Sequence, residues 1–347
     1  MKGFIAVAVA LLLFSLAGCA PRGEIAFGPP AASATQHKVW VANFRATDPP
    51  AAGDRSPPRP EDLRFSQMTI SVPATHETGQ IEWPAAEPNA ETDFVTLARA
   101  PYDDARAFAR AVARSDTRQT GETLVYVHGF NYTHAEAVYQ AAQIAHDFGV
   151  PSPMAVFSWP SAGVPVGYLY DRDSALIARD QLENLLVALT RGSNRKVILL
   201  GHSMGNFLIM ETLRQIEISG SLDISRDIDS LIMVSPDIDG ELFYTQASRL
   251  SQMPSPSAII AVAQDSALRL SARLTGRTNR LGSEVDRGVV RDLPIALIDA
   301  SDLADGGTNH SIGFTSPAAI SILKNIDPTA IPGELQSGAP IKITDLR

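Results

Sequence analysis

A serine between two glycines is the first pattern in the chain that could do chemistry. Gly201, Ser203 and Gly205 stand in the sequence GHSMG, between an apolar strand candidate at 197–200 and a helix candidate at 206–216. A tight strand–turn–helix corner needs both glycines because the strand and the helix approach each other closely. The corner exposes the serine hydroxyl beside the N-terminal amides of the helix, which favour developing negative charge. We therefore interpret Ser203 as a nucleophile for acyl transfer rather than as a structural serine.

A serine nucleophile needs a base, and the chain offers seven histidines. His310 lies in the loop 301–314, after the last predicted strand, and this polar, glycine-containing loop could fold over the edge of a sheet. The chain order serine, acid, histidine also requires a late histidine. We interpret His310 as the base, and the alternative is a solvated histidine in a surface loop.

The carboxylate that orients the histidine should follow a strand between Ser203 and His310. Asp265 follows the strand before the last one, and Asp237 follows the strand before that. The penultimate strand is the more common position, so we prefer Asp265 and keep Asp237 as the alternative acid. Either residue could instead be a helix N-cap, because a helix is predicted after both.

Acyl transfer also needs two hydrogen-bond donors for the oxyanion. The amide of Met204, next to the nucleophile, is one candidate, and the amide of Phe130, after the first core strand, is the other. Gly129 would give the backbone room to approach a substrate, and His128 would brace the loop. The alternative is a simple glycine turn into a helix.

These residues need a scaffold that brings strand ends together. From residue 123 onward, apolar strand candidates alternate with helix candidates, which predicts a twisted, mostly parallel sheet with helices on both faces. In such sheets, functional residues collect at the carboxyl ends of the strands. Two further strands and a helix are predicted earlier in the chain. The predicted strands are 38–44, 67–72, 123–127, 154–159, 197–200, 231–234, 258–263 and 295–298, and the helices are 100–114, 135–148, 175–189, 206–216, 243–250, 268–274 and 318–326.

The segment 161–172 is predicted as a loop that overhangs the site. Five residues between the second core strand and its helix could form the wall of a substrate pocket, or they could simply pack a long crossover connection. No insertion is long enough for a large cap domain. The residues in question are Trp159, Pro160, Tyr168, Tyr170 and Asp171.

Five segments together resemble a bacterial family of α/β-hydrolase-fold proteins of largely unassigned function, often described as esterase- or lipase-like. They are YVHGFN, FSWPS, YLYDRDSA, GHSMG and VSPDID, and the resemblance covers about residues 38–326. It implies the α/β-hydrolase fold and a triad of Ser203, Asp265 and His310. The length of the loop before His310 departs from the family pattern.

The first residues have the features of a targeting sequence. One lysine precedes an apolar run at 4–16, which is too short to span a bilayer, and small residues lead to Cys19, the single cysteine. This resembles a bacterial lipoprotein signal, in which the cysteine is lipidated; the alternative is an ordinary secretory signal. We predict a signal peptide at 1–18, a flexible tether at 19–36, a hydrolase domain at 37–326 and a loosely packed tail at 327–347.

Composition excludes several classes of function. The chain has 347 residues and a net charge of −9, with no basic block, so it is a poor candidate for binding nucleic acid. One cysteine excludes a cysteine-rich zinc site. We predict no metal and no organic cofactor.

Three functional hypotheses remain from the sequence. The preferred one is a serine carboxylesterase that acts on small-molecule esters through an acyl-enzyme and is anchored through Cys19 to the bacterial envelope. The outer membrane, facing the periplasm, is the favoured location because Ala20 stands where aspartate often retains a lipoprotein at the inner membrane. The alternatives are a non-catalytic binding scaffold with the same fold, and an acyltransferase, thioesterase or peptidase with the same triad.

Overall fold

The computed structural model describes most of the chain from residue 23 onward. The predicted signal peptide at 1–18 and the predicted lipidation site Cys19 lie outside the described residues. Within the described ranges, every helix is too short or too polar to cross a membrane. The described ranges are 23–45, 59–60, 62–84, 87–193, 195–276, 280–285, 288, 290, 292–325 and 340–346.

One ten-stranded sheet forms the centre of the molecule. Its strand order is β10-β9-β8-β7-β6-β4-β5-β1-β2-β3, and every neighbouring pair is parallel except β1 with β2 and β2 with β3. The predicted mostly parallel sheet is thus observed, extended at one side by an antiparallel pair of strands. The strands are β1 (Thr35–Asn43), β2 (Arg64–Val72), β3 (Val95–Tyr102), β4 (Glu122–Val127), β5 (Met154–Ser158), β6 (Lys196–His202), β7 (Ile228–Val234), β8 (Ser257–Ala261), β9 (Ala296–Asp299) and β10 (Ile341–Lys342).

Helices cover both faces of the sheet and enclose two apolar clusters, one on each face. The parallel strands are buried on both sides, which explains their nearly continuous apolar sequences. Helix α3 was expected over 175–189 but begins earlier, so the predicted overhanging loop contains its first turns. The helices are α1 (Ala105–Ser115), α2 (His134–Asp147), α3 (Tyr168–Arg191), α4 (Met204–Ser219), α5 (Ile224–Asp227), α6 (Gly240–Ala247), α7 (Ser266–Leu274), α8 (Ile312–Thr315) and α9 (Pro317–Lys324).

The predicted helix over 100–114 was partly wrong. Its first residues belong to the edge strand β3, and α1 begins only at Ala105, where Asp104 acts as N-cap and accepts a hydrogen bond from the amide of Ala107 at 2.7 Å. The segment that enters this helix is rich in alanine and arginine, which favoured a helical interpretation throughout. Pairing with β2 overrides that local preference.

Both ends of the domain differ from the predicted boundaries. Part of the predicted tether is attached, because the backbone of Ala26 bonds to Thr96 of β3 and to the hydroxyl of Tyr139 in α2. Part of the predicted loose tail, residues 340–346, adds β10 to the sheet and buries Ile341 and Ile343. Burial of these apolar side chains stabilises the attachment of β10 to the sheet. The surrounding proline- and glycine-rich sequence gave no sign of it.

Candidate active site

Ser203 occupies a strained corner between β6 and α4. Its backbone has φ of 52° and ψ of −122°, a conformation that residues other than glycine rarely adopt. Two hydrogen bonds hold the corner: the Ser203 amide donates to the carbonyl of Val234 at 3.0 Å, and the Ser203 carbonyl accepts from the amide of Asp237 at 3.2 Å. The surrounding strands therefore maintain a geometry that the serine alone would not adopt.

The glycines around Ser203 permit a close approach of backbone segments. A Cβ atom on Gly205 would lie 2.2 Å from the carbonyl oxygen of Val127, and a Cβ on Gly129 would lie 2.9 Å from Cβ of Ser203. A Cβ on Gly201 would meet the side chain of Asn206 at 2.0 Å. The close packing predicted for the GHSMG corner is observed, and Gly129 extends it to the neighbouring loop after β4.

His310 and Asp265 are in direct contact. Nδ1 of His310 donates to Oδ2 of Asp265 at 2.7 Å, and the Asp265 side chain is fully buried while the His310 side chain is 17% exposed. Asp265 is also the N-cap of α7, because Oδ1 accepts from the amide of Leu268 at 2.9 Å. The contact with His310 and the helix cap, which correspond to the two roles that the sequence posed as alternatives, use different oxygens of one carboxylate.

His310 reaches the serine corner through His202. Nε2 of His202 donates to the carbonyl of His310 at 3.2 Å, and the two ring centroids are 4.9 Å apart. Burial lowers the pKa of His202 to about 3, with the nearby His310 acting in the same direction. A neutral ring therefore packs beside His310 and next to Ser203. Among the described residues no hydrogen bond joins Ser203 directly to His310; such bonds often tighten only when substrate binds.

The alternative acid, Asp237, lies in a separate buried group. Its carboxylate accepts hydrogen bonds from Tyr168 at 2.9 Å and Ser271 at 2.8 Å, and Nε of Arg280 lies 3.2 Å from Oδ1. Asp237 and Arg280 are 3% and 2% exposed, so each buried charge is compensated by the other. Burial and the adjacent Asp237 carboxylate raise the pKa of Tyr168 to about 12.

A buried carboxylate positions the loop that carries Phe130. Asp171, in the first turn of α3, accepts from the amide of Asn131 at 3.1 Å, the hydroxyl of Ser161 at 2.6 Å and the amide of Ala162 at 2.6 Å. Burial raises the pKa of Asp171 even though these donors oppose the shift. The ring of Phe130 packs edge-on against Tyr168, with centroids 5.3 Å apart. Asp171 and Tyr168 thus support the loop rather than hang over the site.

His128 serves as the brace expected from the sequence. Its ring stacks on Trp159 with centroids 4.9 Å apart, and Nδ1 donates to the carbonyl of Gly129 at 2.9 Å. Its Nε2 accepts from the backbone amide of Trp159 at 3.2 Å and from Arg45 at 3.1 Å. Burial lowers its pKa well below the usual range, and both ring nitrogens are already engaged in hydrogen bonds, so His128 is a poor candidate for the base.

Two contributors to the site escaped the sequence prediction, and the role of a third, Asp171, was not foreseen. Arg45 joins the loops after β4 and β5, Arg280 neutralises Asp237, and Asp171 supports the Phe130 loop. Arg45 and Arg280 lie in irregular segments without a motif, and their partners are distant in the chain. The aspartate in YLYDRDSA was visible, but its role depends on α3 beginning at Tyr168.

Comparison with known proteins identifies the family. The sequence profile of a family described as "Alpha/beta hydrolase of unknown function (DUF900)" matches residues 104–324. The match covers more than half of the chain, so the protein belongs to this family, and its fold is the α/β-hydrolase fold. A search of curated proteins finds no significant match.

Solved structures of esterases and lipases have only low similarity to this chain. The crystal structure of Aspergillus fumigatus lipase B has a TM-score of 0.39 and 14% identity over 71% of this chain, and the match spans 66% of the lipase, slightly under two thirds. Esterase B from Lactobacillus rhamnosis, inhibited by a tributyrin phosphonate, has a TM-score of 0.36 and 11% identity, with 97% of this chain and 95% of the esterase covered. EstE1, a thermostable carboxylesterase from a metagenomic library, has a TM-score of 0.35 and 11% identity, with 90% of each chain covered. Similarity at this level says nothing about substrate.

Proposed function

We propose that this protein is a serine hydrolase that cleaves carboxylic esters through an acyl-enzyme. The observation that supports the proposal most strongly is the 2.7 Å hydrogen bond from His310 Nδ1 to the buried Asp265 carboxylate, beside the strained corner at Ser203. With Nδ1 committed to Asp265, the remaining lone pair of His310 is on Nε2. A base in this orientation is what the serine hydroxyl requires.

In the first half of the proposed reaction, Ser203 Oγ attacks the ester carbonyl carbon while His310 Nε2 takes the hydroxyl proton. The carbonyl π electrons move onto oxygen, and the amides of Met204 and Phe130 donate to the oxyanion. Met204 is the first residue of α4, where a backbone amide has no acceptor within the helix. The carbon–oxygen bond to the alcohol then breaks, and His310 returns the proton to the leaving oxygen.

In the second half, water attacks the acyl carbon of the Ser203 ester while His310 takes a proton from the water. The bond to Oγ breaks, the proton returns to Oγ, and the carboxylic acid leaves. The neutral His202 ring beside His310 assists because it adds no positive charge next to the imidazolium that forms in both halves. All steps use this chain's own side chains and backbone amides and one water molecule.

Activity-based labelling tests the proposal directly. The wild-type protein should react with a fluorophosphonate probe, and mass spectrometry should place the adduct on Ser203. Ser203→Ala should abolish labelling and ester cleavage, while Ser235→Ala, at another buried serine with positive φ, should retain both. Failure of the wild type to react, or full turnover by Ser203→Ala, would refute the proposal. A panel of esters, thioesters and amides then distinguishes esterase from the related activities.

We further propose that the enzyme is a lipoprotein of the bacterial envelope, attached through acyl chains such as palmitate on Cys19 and favouring the outer membrane. The proposal depends on the residues Leu16, Ala17 and Gly18 before that cysteine. Cells grown with labelled palmitate should incorporate label into the wild type and not into Cys19→Ser. Equal labelling of both chains would contradict it.

A further inference from the structure

Three histidines and two acidic residues meet at the sheet edge opposite Ser203. His37 lies near the start of β1, two residues before the pairing of Val39 with Met154 at the start of the parallel strand β5. His146 and Asp147 end α2, whereas His76 follows β2. The amino ends of the parallel strands are therefore on this side, and their carboxyl ends, with Ser203, are on the other. We call the group of His37, His76, Glu82, His146 and Asp147 the amino-edge cluster.

Three members of the amino-edge cluster have ligand atoms close to one another. One ligand atom from each of His76, His146 and Asp147 lies within 4.8 Å of the other two. The side chains of His76 and Asp147 are 4% and 1% exposed, so these two candidate ligands are enclosed rather than solvated. The proposed ester chemistry uses none of these residues.

A second set of contacts fixes the orientation of each candidate ligand. Glu82 Oε2 accepts from His76 Nδ1 at 2.9 Å, and His37 Nε2 lies 3.1 Å from His146 Nδ1. Asp147 Oδ2 accepts from the amide of Gly79 at 2.8 Å and from Gln143. In this arrangement Nε2 of His76 and Oδ1 of Asp147 face each other, and His146 brings a ring nitrogen to the same place. Histidine metal ligands usually have such a partner on their second nitrogen.

The contact between His76 and Asp147 has nearly the geometry of two ligands on one metal ion. Nε2 of His76 lies 2.9 Å from Oδ1 of Asp147, which without a metal ion requires a shared proton. Two ligands on a tetrahedral zinc ion are about 3.3 Å apart, given metal–ligand bonds of about 2.0–2.1 Å. Replacing the proton by a divalent ion therefore requires the two atoms to separate by about 0.4 Å.

From this geometry we propose a zinc-type divalent metal site with His76, His146 and Asp147 as protein ligands and water in the fourth position. Two imidazoles and one carboxylate are a donor set suited to zinc. Glu82 and His37 orient the ligands from outside. The ion would tie the segment after β2 to the end of α2. The sequence predicted no metal, so this proposal departs from that expectation.

Metal binding to the full-length protein in detergent tests the site. After treatment with a chelator, we expect one Zn²⁺ per chain by isothermal titration, and Co²⁺ should give the visible absorption of a tetrahedral complex. At a Zn²⁺ concentration of 100 times Kd, the folding equilibrium constant should rise about 100-fold. Absence of both stoichiometric Zn²⁺ binding and tetrahedral Co²⁺ bands in the wild type would overturn the proposal and leave the group as a hydrogen-bond network.

Variants locate the ion and distinguish ligands from orienting residues. His146→Ala should lose stoichiometric binding, whereas His134→Gln, at the other end of the same helix, should retain it. Glu82→Gln should keep the stoichiometry and weaken affinity about 10- to 100-fold. Unchanged binding by His146→Ala would exclude this site. The Co²⁺ spectrum is measured on the wild type. The proposal can therefore be tested even if one of the variants fails to fold.

Discussion

The two edges of the parallel sheet hold histidines in different ways. At the carboxyl edge, Nδ1 of His310 donates a hydrogen bond to Asp265, and the His310 side chain is 17% exposed. At the amino edge, His76 has carboxylates on both ring nitrogens and its side chain is 4% exposed. A base needs one nitrogen that can exchange a proton with substrate, and His76 has no such nitrogen. An enclosed histidine between two carboxylates fits instead the proposed exchange of its shared proton for a cation.

The largest expected effect is on His310. His310→Gln removes the proposed base, so ester hydrolysis should fall about 10²- to 10⁴-fold. The affinity for Zn²⁺ at the amino edge should not change. Steady-state kinetics and metal titration on the same preparation measure both quantities. If His76→Gln reduced turnover as strongly as His310→Gln, the separation of the two edges would be wrong.

Two variants of Asp265 distinguish its proposed role in orienting His310 from its role as the N-cap of α7. Asp265→Asn keeps a side chain suited to capping α7 but weakens the hydrogen bond that orients His310, so kcat should fall about 10²-fold or more with little change in stability. Asp265→Ala should lose activity and also about 1 kcal/mol of stability, because the cap on Leu268 disappears. Kinetics and urea unfolding of the two variants test this. Equal stability of both would show that the cap contributes nothing.

Substitution of Asp237 should reduce stability more than activity, whereas substitution of Asp265 should reduce activity more than stability. Asp237→Asn leaves Arg280 as an uncompensated buried charge, which should cost about 3–5 kcal/mol of stability. Activity per folded molecule, counted by fluorophosphonate titration, should stay within about 10-fold of the wild type. A kcat loss as large as that of Asp265→Asn would make Asp237 the catalytic acid.

The smallest expected effect concerns His134, at the start of α2. Burial, then Arg45, Arg99 and Arg64, lower the pKa of His134 to about 3. The unfolded chain, with a histidine pKa near 6.5, therefore takes up this proton first as pH falls, and stability decreases below pH 6.5. At pH 5 the loss from one such histidine is at most about 2 kcal/mol.

His134→Gln isolates this contribution. The variant should show a smaller decrease in unfolding free energy between pH 7 and pH 5 than the wild type, as measured by urea titration at both values. The other buried histidines remain in both proteins and cancel in the comparison. An identical decrease in the two proteins would mean that His134 is not held neutral by the fold.

Local sequence predicted the parts of the molecule that depend on short segments. The six core strands, the serine corner and the pairing of a late histidine with Asp265 follow from apolar runs, glycine spacing and chain order. Strand β3 was missed because its pairing with β2 is tertiary information that the helical composition obscures. Arg45 and Arg280 were missed because their partners lie far away in the chain. The amino-edge cluster likewise joins residues 37, 76, 82 and 146–147, which form no recognisable spacing.

The attachment of Ala26 to Thr96 limits how far the domain could move from a bilayer. If Cys19 carries the lipid, the seven residue steps to Ala26 reach at most ~25 Å, compared with ~60 Å for a free segment that extends to Gln36. The enzyme would then work within a layer next to the lipid headgroups and would meet ester molecules embedded in, or released from, that surface. A periplasmic solute would be captured only when it diffuses into this layer.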